Sequence, residues 1–227
     1  MITRLITLAL AASITSLATA YSDTQDTAIA DQLFVAFDTE TTGLSPKSER
    51  IVEIGAVRFK NGKVLEKRSW LVNPGKTIPH YATRVHGISN EMVQDAPAFA
   101  EVIGEFEAFI GNAVLVAHNA PFDVNMLSAE YQRAGKEFPH NEVIDSLKLA
   151  RTWYPDLKSH KLGTMAEHLG LAKGSFHRAL DDSLYLAQIF MTSTAAQQPT
   201  PTLNRLFELM GNRTEFKTIE LKPISGS

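Results

Sequence analysis

The order of apolar runs predicts an α/β protein built on one mixed sheet with helices on both faces. Three observations carry this. Two strand-like runs, Ile51 to Lys60 and Lys63 to Val72, flank Asn61-Gly62, a strong signal for a two-residue hairpin. A short apolar run, Leu33-Phe34-Val35-Ala36-Phe37, precedes them, so the sheet opens as an antiparallel meander of three strands. Further along, helical and strand patterns alternate, and that alternation brings helices onto both faces of a sheet.

Leu33 to Phe37 reads as a buried central strand. Asp38 and Glu40 follow it two residues apart. Side chains alternate along a strand, so both lie on one face of its end. Thr41-Thr42-Gly43-Leu44 turns the chain away, and Asn73-Pro74-Gly75 breaks the meander. Ala98 to Ile110 places Val102, Ile103, Phe106, Phe109 and Ile110 at helical spacing, and Gly111-Asn112 ends that helix. Ala113 to Ala117 is another buried strand. Phe122 to Ala134 reads as a helix closed by Gly135. Asp123 falls in its first turn, where an acid favours the helix dipole. Val143-Ile144 is a short strand leading into a helix through Arg151. Leu162 to Leu169 is a helix stopped by Gly170, and Arg178 to Met191 is the last clear one. From Thr194 the texture becomes linker-like. The cluster Leu203, Leu206, Phe207, Leu209 and Met210 is expected to pack back on the domain or stay partly disordered. The expected organisation is a polar leader over 21–32, one domain over 33–193, and a linker with a short tail over 194–227.

Residues 1–20 read MITRLITLALAASITSLATA, with Arg4 the only charge and a small-x-small ending at Ala18-Thr19-Ala20. This is the layout of a secretory signal peptide cleaved before Tyr21, so an exported protein, periplasmic or secreted, is expected. As a membrane anchor the run is short and diluted by Thr7, Ser13, Thr15 and Ser16. Without that export signal the protein would be cytoplasmic.

At 227 residues and 44% hydrophobic, the chain suits one good-sized core. Its net charge of −3 excludes a global basic field as the route to a polyanion. Charge is uneven, however: Lys148 to Arg178 holds six basic residues against two acidic ones. That stretch is either a solvated rim or a phosphate-gripping lip. The absence of cysteine excludes disulfides, thiolate zinc sites and cysteine nucleophiles.

The candidate chemistry lies in Asp38, Glu40, Asp123, His177 and Asp182, at points expected to converge on one edge of the sheet. Gathered carboxylates repel one another and lose hydration, so a fold rarely assembles them without a cation to hold. Two hard cations beside a base are the apparatus for cutting phosphodiesters. An all-oxygen site suits Mg²⁺ or Mn²⁺.

The segments DTETTGL, IVEIGAV, VHGI, HNAPFD, DSLKLAR and HRALDD follow one another over roughly Leu33 to Phe190. In these the chain resembles the DnaQ-like, epsilon-subunit-like 3′–5′ exonucleases of the DEDDh class. The resemblance implies a ribonuclease-H-like fold with a five-stranded mixed sheet. It implies that Asp38, Glu40, Asp123 and Asp182 bind two divalent ions and that His177 is the general base. The family spacing places the last metal ligand five residues after the histidine, selecting Asp182 over Asp181. It further implies that Thr41 and Leu44 contact the terminal nucleotide, with Leu44 wedged against a base, and that His86 and Phe122 line the same pocket. The expected substrate is the 3′ end of nucleic acid, single-stranded DNA foremost, and the product a nucleoside 5′-monophosphate. Three other readings compete: a cytoplasmic proofreading subunit of a replicative polymerase, an RNA or oligonucleotide trimmer, and an inactive module that binds nucleic-acid ends.

Overall fold

The structure, a computed structural model, describes residues 28–171 and 177–222. The expected export segment and residues 21–27 of the leader lie outside the described residues. Strands β1 (Phe34–Thr41), β2 (Ile51–Lys60), β3 (Lys63–Leu71), β4 (Val114–Ala117) and β5 (Val143–Asp145) form one five-stranded sheet in the order β3-β2-β1-β4-β5. The β1–β2 and β2–β3 pairs are antiparallel, and the β1–β4 and β4–β5 pairs are parallel. This is the mixed sheet that the sequence predicts. Asn61 and Gly62 take φ of 48° and 68°, the left-handed pair that a tight hairpin needs. The edge strand β3 is mostly exposed, and Lys63, Glu66, Lys67 and Arg68 guard it against pairing with another chain.

The helices are α1 (His80–His86), α2 (Asn90–Val93), α3 (Phe99–Ile110), α4 (Ala120–Arg133), α5 (Ser146–Trp153), α6 (Leu162–His168), α7 (Ala179–Ala195) and α8 (Leu203–Met210). Alternation along β1 divides the core in two. Val35 and Phe37 face α3 and α4, packing with Phe106, Leu127 and Tyr131. Phe34 and Ala36 face the opposite way, packing with Leu149 of α5, Leu186 and Phe190 of α7, and Leu206 of α8. Each such large apolar side chain contributes roughly 1.5–3 kcal/mol on full burial.

Three features differ from the sequence reading. Helices α1 and α2 appear where no helix was expected; neither is long enough to show a helical apolar repeat. Strand β1 continues through Asp38, Thr39, Glu40 and Thr41, because β2 pairs with it as far as Thr41↔Ile51. Helix α7 runs to Ala195, past the expected linker start at Thr194, whose hydroxyl donates back to the Phe190 carbonyl at 2.8 Å. Leu203, Leu206, Phe207 and Met210 of α8 do pack back, on the α7 side of the sheet. The described tail then crosses α4: Ile219 N donates to Gln132 Oε1 at 2.9 Å, and Lys222 N to the Lys47 carbonyl at 3.0 Å. Among the described residues no helix is long and apolar enough to cross a membrane.

Candidate active site

The alternation that divides the core also builds the site. Asp38 and Glu40 share the parity of Phe34 and Ala36, so they face the α7 layer. Asp182 sits in the first turn of α7. Ligand oxygens of Asp38, Glu40 and Asp182 all lie within 4.8 Å of one another. One oxygen of Asp182, Oδ2, accepts from His177 N at 3.0 Å. The other, Oδ1, is buried without a hydrogen-bond partner in the described structure. Thr39 has the opposite parity and meets α4. Its N–H and hydroxyl both donate to Asp123 Oδ1, at 3.0 and 2.7 Å. Asp123 therefore reaches the site from the other layer and is held by β1 itself.

These groups hold their protons unusually tightly. Burial, then the charges of Asp123, Glu40 and Asp182, keep the Asp38 carboxyl well above the usual carboxylate range. Burial pushes Glu40 up to about 7; Asp182, Glu53 and Asp123 add to this and Arg178 opposes it. Burial likewise raises Asp123 to about 7 against the two Thr39 hydrogen bonds. Asp182 is raised by burial, with the His177 N–H opposing. Crowded carboxyls and an orphaned buried oxygen fit a hard divalent cation with oxygen ligands. Asp38, Glu40 and Asp182 form the cradle, with Asp123 beside it.

Side chains that the sequence reading did not single out hold α7 in place. Glu53 on β2 is 1% exposed and pairs with the Arg178 guanidinium through two bonds, Nε to Oε2 at 3.0 Å and Nη2 to Oε1 at 2.8 Å. Ser183 Oγ lies 2.6 Å from the Ala179 carbonyl and 2.9 Å from the Gly55 carbonyl, and its one proton is shared between them. A charged residue inside the apolar run Ile51-Val52-Glu53-Ile54 was the available signal, since buried charges need partners.

The remaining candidates divide. His177 is exposed and takes φ of 74°, an uncommon conformation for a non-glycine residue. Leu44 stands 83% exposed on the turn after β1. The Thr41 hydroxyl is committed to the Gly43 carbonyl at 2.8 Å, so it shapes that turn. His86 is buried; its Nδ1 accepts from Ile88 N at 3.0 Å, and the Thr41 carbonyl faces the rest of the ring. Burial lowers its pKa, opposed by the Thr41 carbonyl and Glu53. Phe122 is half-buried against the α3–α4 core. Both ring nitrogens of His118 are engaged, with Ser146 Oγ at 2.8 Å and the His160 carbonyl at 2.7 Å, which makes it a loop fastener. Within the basic stretch, Arg178 is tied to Glu53 and Lys148 donates to the Asn212 carbonyl at 2.6 Å. Lys173 lies outside the described residues, and Arg151, Lys158 and Lys161 are exposed.

Comparison with known families decides the affiliation: the RNase_T exonuclease family matches residues 35–190. The chain belongs to this exonuclease family. It is 44% identical over 163 residues to a PolC-type DNA polymerase III of Clostridium perfringens, covering 72% of this chain and 11% of that protein. It is 38% identical over 164 residues to a DNA polymerase III subunit epsilon of Treponema pallidum, covering 71% of this chain and 76% of that one. The chain thus spans about a tenth of the length of the PolC-type relatives. Among solved structures, exonuclease X in complex with 5′-overhanging duplex DNA aligns with a TM-score of 0.64 and 28% identity, over 78% of this chain and 99% of that one. The nuclease domain of 3′hExo, a DEDDh family member bound to rAMP, aligns with a TM-score of 0.67 over 86% of this chain and 99% of that one. At 20% identity the latter shows the shared ribonuclease-H-like fold.

Proposed function

We propose that this exonuclease is metal-dependent, works from 3′ to 5′, and releases nucleoside 5′-monophosphates from single-stranded DNA ends. The supporting observation is the three-carboxylate cradle with its unpartnered Asp182 oxygen, next to Asp123 and His177. Asp38, Glu40, Asp182 and Asp123 would hold two Mg²⁺ or Mn²⁺ ions. Such ions supply Lewis acidity to a phosphate oxygen and acidify a water. The His177 imidazole takes the proton of the attacking water, a task worth ~10²–10⁴ in rate for a positioned base. Leu44 presses on a terminal base, a contact that tolerates any sequence. Thr41 fixes the turn that carries Leu44. His86 and Phe122 line the same pocket. Arg151, Lys158 and Lys161 serve as the phosphate lip.

DNA is favoured because exonuclease X, a 28%-identical structure, is seen with DNA. Matched DNA and RNA strands test that preference, which rests on contacts to the 2′ position. A 5′-labelled strand incubated with Mg²⁺ or Mn²⁺ should shorten stepwise from its 3′ end, and EDTA should stop it. Equal cleavage in EDTA, or shortening from the 5′ end, overturns the proposal.

A second reading, proofreading beside a replicative polymerase, draws support from similarity to epsilon and PolC-type proteins. Export is proposed from the layout of residues 1–20 alone. The mass of the natural N-terminus separates them: Tyr21 supports export, and Met1 supports the polymerase-associated reading.

A further inference from the structure

We propose that Glu53 is a positioning residue that sets the affinity of the acidic cradle for its cation. It acts through Arg178 and the Ala179 backbone, which fix where Asp182 stands. This rests on the metal-dependent reading above.

Glu53 lies on β2 directly across from Glu40 of β1. Its carboxylate makes three bonds, all to the start of α7. Two go to the Arg178 guanidinium, at 3.0 and 2.8 Å, and the third comes from Ala179 N at 3.1 Å. Arg178 is the N-cap of α7 and Ala179 its first residue. A carboxylate there is favoured by the helix dipole as well as by the guanidinium. Two residues along β2, the Gly55 carbonyl stands 2.9 Å from Ser183 Oγ, whose proton it shares with the Ala179 carbonyl at 2.6 Å. Strand β2 therefore grips α7 on either side of Asp182. The grip is passed on locally: Asp182 N donates to the Arg178 carbonyl at 2.9 Å, and Asp182 Oδ2 accepts from His177 N at 3.0 Å.

The cradle needs such a grip. Asp38 and Glu40 are fixed on one strand, and ionised carboxylates brought beside them repel. Asp182 is the member on a separate element, so repulsion is relieved most easily by lifting the first turn of α7. Glu53 opposes that displacement with charge-assisted, two-pronged bonds, the strong kind. It does so without touching the cation, and Arg178 offsets the charge that Glu53 presents to Glu40. A plain structural ion pair would contribute to stability and act on metal affinity only through the opposed fields of its two charges, so the charge-keeping Arg178→Lys would leave that affinity alone. A positioning residue changes the affinity of protein that is still folded.

The test is Mn²⁺ binding to the purified full chain without nucleic acid, followed by calorimetry and by the electron-spin signal of free Mn²⁺. Wild type, Glu53→Gln, Arg178→Lys, Asp182→Asn and the double variant Glu53→Gln/Arg178→Met are compared, each with a melting curve in EDTA. Losing an outer support of a metal ligand typically costs ~10–100-fold in affinity. Glu53→Gln should weaken Mn²⁺ binding by about that factor, Arg178→Lys should do so by less, and the double variant should be no weaker than Glu53→Gln alone. At saturating Mn²⁺, kcat should fall while KM for a single strand stays within about twofold. Should Glu53→Gln not fold, the comparison rests on Arg178→Lys, whose side chain is 41% exposed. A variant that melts lower but binds Mn²⁺ like wild type, or additive losses in the double variant, overturns the proposal alone. Wild-type protein that binds no Mn²⁺ overturns the metal reading, and this proposal with it.

Discussion

Replacing Gly55 with alanine would set a methyl group against the backbone of α7. A Cβ at this position would lie 2.1 Å from both the carbonyl carbon and oxygen of Ala179, and 2.3 Å from Leu180 N. Ordinary contact begins near 3.4 Å, so the shortfall is about 1.3 Å. The obstacle is backbone, which cannot swing aside as the tip of a long side chain can. Either the first turn of α7 lifts by about that distance or β2 bends. Overpacking of this kind costs ~1–3 kcal/mol. At ~2–4 °C per kcal/mol for a chain of this size, Tm should fall by roughly 2–12 °C. The activity loss should be larger in proportion. Asp182 sits three residues beyond Ala179 and would move with it, and a ~1 Å misplacement at a reacting centre can cost ~10²-fold. Melting curves with and without Mn²⁺, together with single-turnover cleavage of a labelled strand, read both effects. A Gly55→Ala protein melting within about 1 °C of wild type and cutting within about twofold would falsify the close-approach argument.

In EDTA the pH dependence of stability follows from the raised carboxyls. Glu40 and Asp123 titrate near 7 when folded, against ordinary values of 4.5 and 3.8. Between those values the folded state holds more protons, so this contribution is full below about pH 4 and is lost as pH rises through 7. Urea unfolding in EDTA should show falling stability from pH 5.5 to 8.5, and saturating Mn²⁺ should flatten the fall because the cation replaces the protons; a flat profile in EDTA refutes it. Glu40→Gln should abolish turnover yet raise the Tm of metal-free protein at pH 8, since Glu40 titrates near 7 and its charge is one of the crowded ones there; a lower Tm there counts against the crowding. Leu44→Ala should leave Tm within about 1 °C, because the side chain is 83% exposed. It should raise KM for a single strand by about fivefold, given ~0.8 kcal/mol for each methylene no longer covered by the base; an unchanged KM removes Leu44 from the substrate path.

Most of the sheet was legible because its signals are local. Asn61-Gly62 marked the hairpin, and the apolar runs before Asp38 and before His118 marked the two strands that end at the site. The parity of Asp38 and Glu40 followed from the two-residue repeat alone. What stayed hidden depends on partners far along the chain. Strand β1 keeps going through Asp-Thr-Glu-Thr because β2 pairs with it and because Thr39 meets Asp123, 84 residues away. Glu53 could be seen as an odd charge in an apolar strand, but its partner Arg178 lies 125 residues on. Gly55 has no visible purpose until α7 arrives above it. Helices α1 and α2 are too short for an apolar rhythm to declare itself, although Gly87, with φ of 74°, caps the first.

Strand β1 sends alternate residues to opposite layers, and this has a consequence for biogenesis. Asp38 and Glu40 emerge from the ribosome long before residue 182 does. Until α7 lands on the sheet, those two acids stand without their third companion. The acidic cradle is finished only when the last layer closes over the first strand.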